Sequence, residues 1–327
     1  MEILDLRLLR PSDLEPLLEE EKLVWMESLR WDYSATASMV FRYVQGRALT
    51  GYAALEEGRA IAYSFYICEN QKGLIGDAFV SRRFRDGITE TRLLTHVVET
   101  LLATPTVRRV EAQLIQLDTA NVREFFRSQG FATYDRKFLL LELTPRNVLE
   151  SRSPVPNVAL KAWESRWFSD AADLITRAYR GHIDSRISDQ YLSRAGAERF
   201  LENIVQYPGC GTFDPAASYL AFSAESRLCG MILTSIVSDQ VAHVTQLCVT
   251  PDLHGQGIGR YLLTHCLESL RQRGFQAVTL TVTAANGRAV KLYERVGFST
   301  LAGFPAFAWD APAPLARATE RRAAARS

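Results

Sequence analysis

A glycine-rich run, His254-Gly255-Gln256-Gly257-Ile258-Gly259-Arg260, follows the strand-like stretch Gln246-Leu247-Cys248-Val249-Thr250. It opens a segment, Gly257 to Arg273, whose apolar residues recur at helical spacing. A strand that turns through glycines into a helix N-terminus suits a pyrophosphate. The first backbone N–H groups of a helix lack internal partners, and the helix dipole favours an anion beside them. Glycine lets a phosphate approach the backbone without a Cβ in the way. Such anion–dipole contacts contribute about 0.3–1 kcal/mol, and up to ~2 kcal/mol when partly buried. The glycines alone also admit a bare tight turn or a Rossmann nucleotide site. The Rossmann reading fails on context, because this turn sits late in its unit and follows mixed strands.

The elements around the turn recur. Leu93-Leu94-Thr95-His96-Val97-Val98-Glu99-Thr100-Leu101 returns as Leu262-Leu263-Thr264-His265-Cys266-Leu267-Glu268-Ser269-Leu270. Phe125-Phe126-Arg127-Ser128-Gln129-Gly130-Phe131 returns as Leu292-Tyr293-Glu294-Arg295-Val296-Gly297-Phe298. The two matches keep one order and nearly one offset, which predicts a duplicated domain. Each half reads as a helical opening, here Ala171 to Tyr179, then strands over Ser218–Ala224, Gly230–Val237 and Val241–Thr250. The turn and its helix follow, then a strand over Ala277–Val282, a short helix over Asn286–Arg295 and a closing strand pair. Strands on either side of a crossover helix imply a locally parallel pair in a mixed sheet. Three prolines, Pro145, Pro154 and Pro156, mark a linker. The expected organisation is a first domain at 1–148, a linker at 149–156, a second domain at 157–310 and a loose Ala/Arg-rich tail at 311–327.

The 327 residues are 47% hydrophobic and 23% charged, with a formal net charge of +1. That balance is globular and offers no basic field for nucleic acid. The cysteines, Cys68, Cys210, Cys229, Cys248 and Cys266, are scattered and odd in number, so neither a disulfide framework nor a metal site is expected. The start, Met1 to Arg7, is too polar for a signal peptide, and no apolar run reaches the ~20 residues of a membrane span. A soluble cytoplasmic protein, with no membrane partner, is the expectation.

With the second segment, Val282-Thr283-Ala284-Ala285-Asn286-Gly287-Arg288-Ala289-Val290-Lys291-Leu292-Tyr293-Glu294-Arg295-Val296-Gly297-Phe298, the chain resembles the GNAT superfamily of acyl-CoA N-acyltransferases. The resemblance covers about 160–310 well and 1–148 faintly. It implies a mixed α/β (α+β) fold of two GNAT-like units in tandem. Each would be a mostly antiparallel sheet with a splayed parallel central pair flanked by helices. It implies acetyl-CoA as co-substrate. Leu247, Cys248 and Val249 would offer backbone groups to the acyl and pantetheine parts. Gly255, Gln256, Gly257, Ile258, Gly259 and Arg260 would hold the pyrophosphate, and Asn286 would touch the pantetheine arm. Tyr293 would face the sulfur as general acid for the departing thiolate. The turn departs from the family at His254, where Arg or Gln is usual; an imidazole carries no assured charge there. An amine acceptor must lose a proton before it attacks. Some relatives place a glutamate near His243, and His243 is the candidate base here. A glutamate that others carry is Thr281 in this chain.

In the first half, Ile88 and Glu90 stand where Gly257 and Gly259 are expected, or Gly87 and Thr89 if the match slips by one residue, and Phe126 stands for Tyr293. Sterics, charge and the lost hydroxyl all predict a half without catalysis. Arg82, Arg83 and Arg85 read as a solvated face, and His96 and His265 as a shared structural pair. The acceptor, an amine on a small molecule or peptide, is expected over Trp163 to Tyr207, among Trp167, Tyr179, His182, Asp184, Asp189, Tyr191 and Tyr207. The resulting expectation is an N-acetyltransferase acting by direct attack in a ternary complex. The alternatives are a thiol-precursor acetyltransferase of the mycothiol-synthase kind and a non-catalytic acyl-CoA-binding sensor or interaction module.

Overall fold

The computed structural model describes residues 1–144, 155–207 and 211–312. The first half runs β1 (Glu2–Asp5), α1 (Pro11–Leu29), α2 (Ser34–Gln45), β2 (Gly51–Glu56), β3 (Arg59–Glu69) and β4 (Lys72–Val80). It continues through α3 (Ile88–Ala103), β5 (Arg109–Gln113), α4 (Ala120–Ser128) and β6 (Ala132–Glu142). The second half runs β7 (Ala159–Ala162), α5 (Phe168–Ala178), a short α6 (Asp184–Ile187), α7 (Arg194–Gln206), β8 (Thr212–Phe213) and β9 (Tyr219–Phe222). It ends with β10 (Leu228–Ser238), β11 (Val241–Val249), α8 (Ile258–Gln272), β12 (Ala277–Thr283), α9 (Gly287–Val296) and β13 (Ser299–Asp310). The linker expected at 149–156 falls almost wholly outside the described residues, as does most of the tail. No helix among the described residues is long and apolar enough to cross a membrane.

The repeated apolar spacing explains the two long crossover helices. Leu93, Leu94, Val97, Val98 and Leu101 bury one face of α3, and Leu262, Leu263, Cys266, Leu267 and Leu270 bury the matching face of α8. The shorter helices start on side-chain caps. Thr119 accepts from Val122 N at α4, and Asn286 accepts from Ala289 N at α9. Gly297, at φ 108°, ends α9 in a left-handed turn.

One mixed sheet spans both halves in the order β1-β2-β3-β4-β5-β13-β6-β12-β11-β10-β9-β7, with β8 paired to β10. The pairs β4/β5 and β11/β12 are parallel, and the others are antiparallel. The sequence expectation that each half closes with its own strand pair is corrected here. Each half contributes one closing strand, and that strand lies among the strands of the other half. β6 sits between β12 and β13, and β13 sits between β5 and β6. The cores follow the exchange. Leu139 and Leu141 of β6, with Leu143 just after it, pack with the second-half core around α8. Phe307 of β13 stacks on Phe126 of the first half at 3.9 Å. Alternate residues of the exchanged strands, Phe138, Leu140 and Phe304, join a core with Trp25 and Trp31 that also takes in Val237 and Val241.

Candidate active site

The parallel pairing of β11 with β12 covers Val241 to Val244 against Ala277 to Leu280 and then stops. β12 continues through Thr281, Val282 and Thr283 paired to β6, while the last part of β11 stays paired to β10. A wedge opens between them, and the β11 edge from Thr245 to Val249 faces it with no strand partner. Against β10, Leu233 pairs with Gln246 and Thr234 with Val244, so Thr245 is a β-bulge. Leu247, Cys248 and Val249, the strand residues expected to meet the acyl and pantetheine parts, lie on this free edge.

The glycine turn caps the wedge. Gly255 and Gly257 take φ of 82° and 86°, which fixes glycine at both places. Gly259 differs. A Cβ there would meet Leu292 and Val249 at an ordinary 3.7 Å, so packing within the protein does not require its bareness. Among the described residues, no acceptor is bonded to the N–H groups of Gly257, Ile258 or Gly259. His254 is used internally: its Nε2 lies 2.8 Å from the Val249 carbonyl oxygen, and burial lowers its pKa. A positive charge stands next to His254 in Arg288, whose Nη2 is 3.4 Å from the same nitrogen. Arg288 escaped the sequence reading, although its place in the first turn of α9 put it near the glycines.

The first half shows the same turn closed. Gly87 N donates to Glu90 Oε2 at 2.7 Å, and Ile88 N and Thr89 N donate to Asp86 Oδ1 at 2.9 and 2.8 Å. The N–H groups that would grip a phosphate are thus held by carboxylates of the chain itself. Asn121 also crowds Gly87, 1.9 Å from where a Cβ would stand. Beyond the turn, Asp77 replaces Gln246 of the second half and lies with Glu21 in a buried acidic pair. Tyr33 donates to Asp77, and Tyr63 donates to Glu21 at 2.7 Å. Burial and the neighbouring Asp77 raise the Glu21 carboxyl well above its usual range.

In the second half, Tyr293 and Asn286 approach the wedge from α9. The Tyr293 ring meets Phe298 edge-on at 5.8 Å, and its hydroxyl has no hydrogen-bond partner among the described residues. That hydroxyl is not among the sealed, unpartnered polar atoms, so it is open to the wedge. Burial, then Asp184 and Cys248, raise its pKa and keep it protonated. The opposite face carries the acceptor-side residues. Thr283 Oγ1 donates to Asp184, Gln246 Nε2 donates to the Tyr179 hydroxyl at 2.9 Å, and Tyr179 stacks on Tyr191 at 4.1 Å. His182 Nε2 lies 3.2 Å from Asn286 Nδ2 and joins the two faces. Asp184 thus stands beside Tyr293, Tyr179 and Tyr191, and it contributes to the raised pKa of each phenol.

The expected base does not join this group. His243 is buried, its Nδ1 is 2.8 Å from Thr279 Oγ1, and its ring packs on Trp31 and Phe138 at 4.9 and 5.7 Å. Burial, with Arg136 nearby, lowers its pKa to about 3. Taking a proton from an amine of pKa ~10 would then be uphill by roughly 9–10 kcal/mol. The bulge explains the misreading. Counting by twos from His243 leads to Leu247, but after Thr245 it is Gln246 and Cys248 that share its face.

Of the other acceptor-side residues, Trp167 turns away to pack on Phe222 at 5.0 Å, and Tyr207 is exposed. Asp189 is drawn to the first half. Lys72 donates to its carboxylate, and its backbone N donates to Glu111 Oε1 at 2.7 Å. Glu111 also accepts from Ser188 Oγ at 3.1 Å and pairs with Arg109, whose Nη2 holds the Arg186 carbonyl at 2.7 Å. The loop from Asp184 to Tyr191 is therefore pinned by strand β5 of the first half. Burial pushes the Cys248 thiol up to about 12, which leaves it a neutral wall residue. His96 and His265 each pack on a strand tyrosine, Tyr52 at 5.6 Å and Tyr219 at 4.5 Å, in equivalent places of the two halves.

Residues 177–298 match the acetyltransferase (GNAT) family model, which takes in the wedge, the turn and α9. The chain is 40% identical over 90 residues to a mycothiol acetyltransferase of Thermomonospora curvata, covering 28% of this chain and 30% of that protein. It is 36% identical over 80 residues to a ribosomal protein bS18-alanine N-acetyltransferase of Salmonella typhimurium, covering 24% and 53%. The chain thus spans between about a third and about half of the length of these curated relatives. Two solved structures share the fold over nearly the whole chain. A GCN5-related N-acetyltransferase from Sphaerobacter thermophilus has a TM-score of 0.65 at 17% identity, with 95% of this chain and 97% of that one covered. A tandem GNAT protein from the clavulanic acid biosynthesis pathway has a TM-score of 0.63 at 13% identity, with 96% and 99% covered. The open wedge, the free helix N-terminus and the matched family segment lie on the same residues: residues 177–298 match the acetyltransferase (GNAT) family, and nearly the whole chain shares the fold of GNAT proteins, a tandem one among them.

Proposed function

We propose that this chain is an N-acetyltransferase that binds one acetyl-CoA, in its second half, and passes the acetyl group directly to an amine held over the Asp184 face. The observation that carries the reading is the contrast between the two turns. Among the described residues the N–H groups of Gly257, Ile258 and Gly259 meet no acceptor, whereas those of Gly87, Ile88 and Thr89 are bonded to Asp86 and Glu90. The names of the relatives, both acetyltransferases, support acetyl transfer as the reaction.

Acetyl-CoA supplies the activated thioester, and the chain's residues do the rest. The first turn of α8, with Arg288 beside it, holds the pyrophosphate. The unpaired edge from Leu247 to Val249 takes the pantetheine arm as a strand would, and it offers N–H groups to the carbonyl oxygen as charge grows there. Asn286 reaches the same arm. Asp184 draws in the ammonium, whose proton leaves to solvent before attack, and His243 stays out of reach in its aromatic cage. The Tyr293 hydroxyl donates to the sulfur as it departs.

Calorimetric titration with CoA tests this reading. One site per chain is expected, and Gly259→Glu should abolish it. Two equivalent sites, or a site that survives Gly259→Glu, would refute it. Acetyl-CoA binding with no thiol release across a broad amine panel would leave the acyl-CoA-binding module instead.

A further inference from the structure

The exchange of closing strands brings a first-half side chain into the second-half cleft. Arg136, on β6, is the register partner of Thr283 on β12, and directly opposed residues of an antiparallel pair project to the same face. Thr283 is the residue that donates to Asp184. Arg136 and Asp184 therefore approach the acceptor face from one rung of the sheet. On β13 the partner of Arg136 is Phe304, and the guanidinium carbon lies 6.0 Å from that ring. Its Nη2 donates to Thr281 Oγ1 at 3.2 Å.

Among the described residues the rest of the guanidinium has no hydrogen-bond partner. Its Nε is fully buried and meets no acceptor, and no carboxylate pairs with Arg136 among the described residues. A guanidinium has five donors in a planar fork, and leaving them unmet in a half-buried site is costly. Nothing in the fold demands this cation. Its neighbours on the face, Phe138, Phe304 and the caged His243, are a core that an apolar residue would continue. Arg136 also sits near enough to Tyr191 to oppose the rise that burial and Asp184 impose on that phenol. An anion resting on Arg136 would thus lie at the acceptor cleft, with Asp184 on its other side.

We propose that Arg136 is a specificity-determining residue that binds a carboxylate on the acceptor, so that the preferred substrate is an amino acid or a related zwitterion. Asp184 receives the ammonium end and Arg136 the carboxylate end. The fork of Arg136 matches a carboxylate with two parallel N–H bonds, which Lys at this place would not reproduce. On this view the first half does more than support the sheet: it supplies one wall of the substrate site through its exchanged strand.

The proposal rests on the transferase reading for its substrate but not for its binding site, and two arms of one experiment separate them. In the first, thiol release from acetyl-CoA is followed with free amino acids and with their carboxamides. The free acids should be favoured by roughly 10- to 100-fold in kcat/KM. Arg136→Gln should bring that ratio to within a few-fold of one, and Arg136→Lys should recover only part of it. A wild-type protein indifferent to the carboxylate would overturn the proposal. So would an Arg136→Gln protein that loses acids and amides alike with the ratio preserved, which is the mark of a structural role. The second arm needs no turnover. N-acetyl amino acids and their carboxamides are titrated calorimetrically into the CoA-bound protein. Tighter binding of the acids that disappears in Arg136→Gln supports the site even if no amine is acetylated, and that pattern would retire only the transferase reading. Equal binding of acids and carboxamides would overturn the proposal.

Discussion

Replacing Tyr293 with phenylalanine isolates one hydroxyl, and the protein holds its own control for the substitution. Phe126 occupies the equivalent place in the first half, where it meets Phe131 edge-on at 5.0 Å, much as Tyr293 meets Phe298 at 5.8 Å. A phenyl ring therefore packs at this position. Because the Tyr293 hydroxyl has no partner among the described residues, its removal strands no donor or acceptor there. Tyr293→Phe should unfold within about 0.5 kcal/mol of wild type. Turnover should respond differently. A hydrogen bond to a charged group contributes about 1.5–3 kcal/mol, and the bond to sulfur strengthens as negative charge develops there. The loss should be roughly 10- to 150-fold in kcat, with the KM for acetyl-CoA nearly unchanged. Burial and Asp184 hold the phenol protonated across ordinary assay conditions, so the pH profile should fall in height without changing shape. Stopped-flow thiol release at saturating acceptor measures this. A loss confined to acetyl-CoA affinity would make Tyr293 a binding residue. No loss at all would mean that the thiolate departs unaided.

Glu111→Gln should raise the acceptor KM while leaving that for acetyl-CoA unchanged, because Glu111 pins the Asp184–Tyr191 loop and touches no part of the wedge. Stability should fall by about 3 kcal/mol in chemical unfolding, since Lys72 and Arg109 lose a buried partner; equal effects on both Michaelis constants would argue against a positioning role. His243→Leu should keep turnover within about threefold of wild type, against a drop of ~10²–10⁴-fold if it were the base. His243 also carries an acid sensitivity. Burial lowers its pKa from the ~6.5 of a free imidazole to about 3 in the folded state, so the stabilisation is full above pH ~6.5 and is lost as pH falls toward 3. The upper limit is roughly 4–5 kcal/mol, read as a steeper acid decline of the melting temperature in wild type than in His243→Leu; parallel declines would refute it.

The parts legible in the sequence were those written in local spacing. The glycine turn, the helix after it and the paired apolar runs at Leu93 and Leu262 depend on near neighbours, and the strands and helices fall within a few residues of their expected places. What the sequence hid is non-local. Alternation shows which face of β6 is apolar, but not that its neighbours are β12 and β13. The parity of Arg136 with Phe138 and Leu140 places it on their face, but only the sheet order brings it to the second half's cleft. Glu90 was legible as a charge hostile to phosphate. That it and Asp86 satisfy the turn themselves required the turn's geometry. His243 failed for a local reason: one bulged residue, Thr245, reverses which neighbours share a face.

The position of β6 also sets an order of events during synthesis. Both edges of β6 are covered by strands made later, β12 and β13, and its apolar residues Phe138 to Leu141 are buried against them. As the chain leaves the ribosome, this strand emerges with neither neighbour in existence. At ordinary elongation rates it waits roughly ten to thirty seconds for Asp310. Until then the first half ends in a long, unpaired, apolar strand, the kind of edge that recruits a strand from another chain. A nascent chain in crowded company can meet a second copy's β12 before its own. The same exchange that joins the two halves thus leaves a period in which intermolecular pairing competes with folding, and neither half can be expressed alone without leaving that edge open.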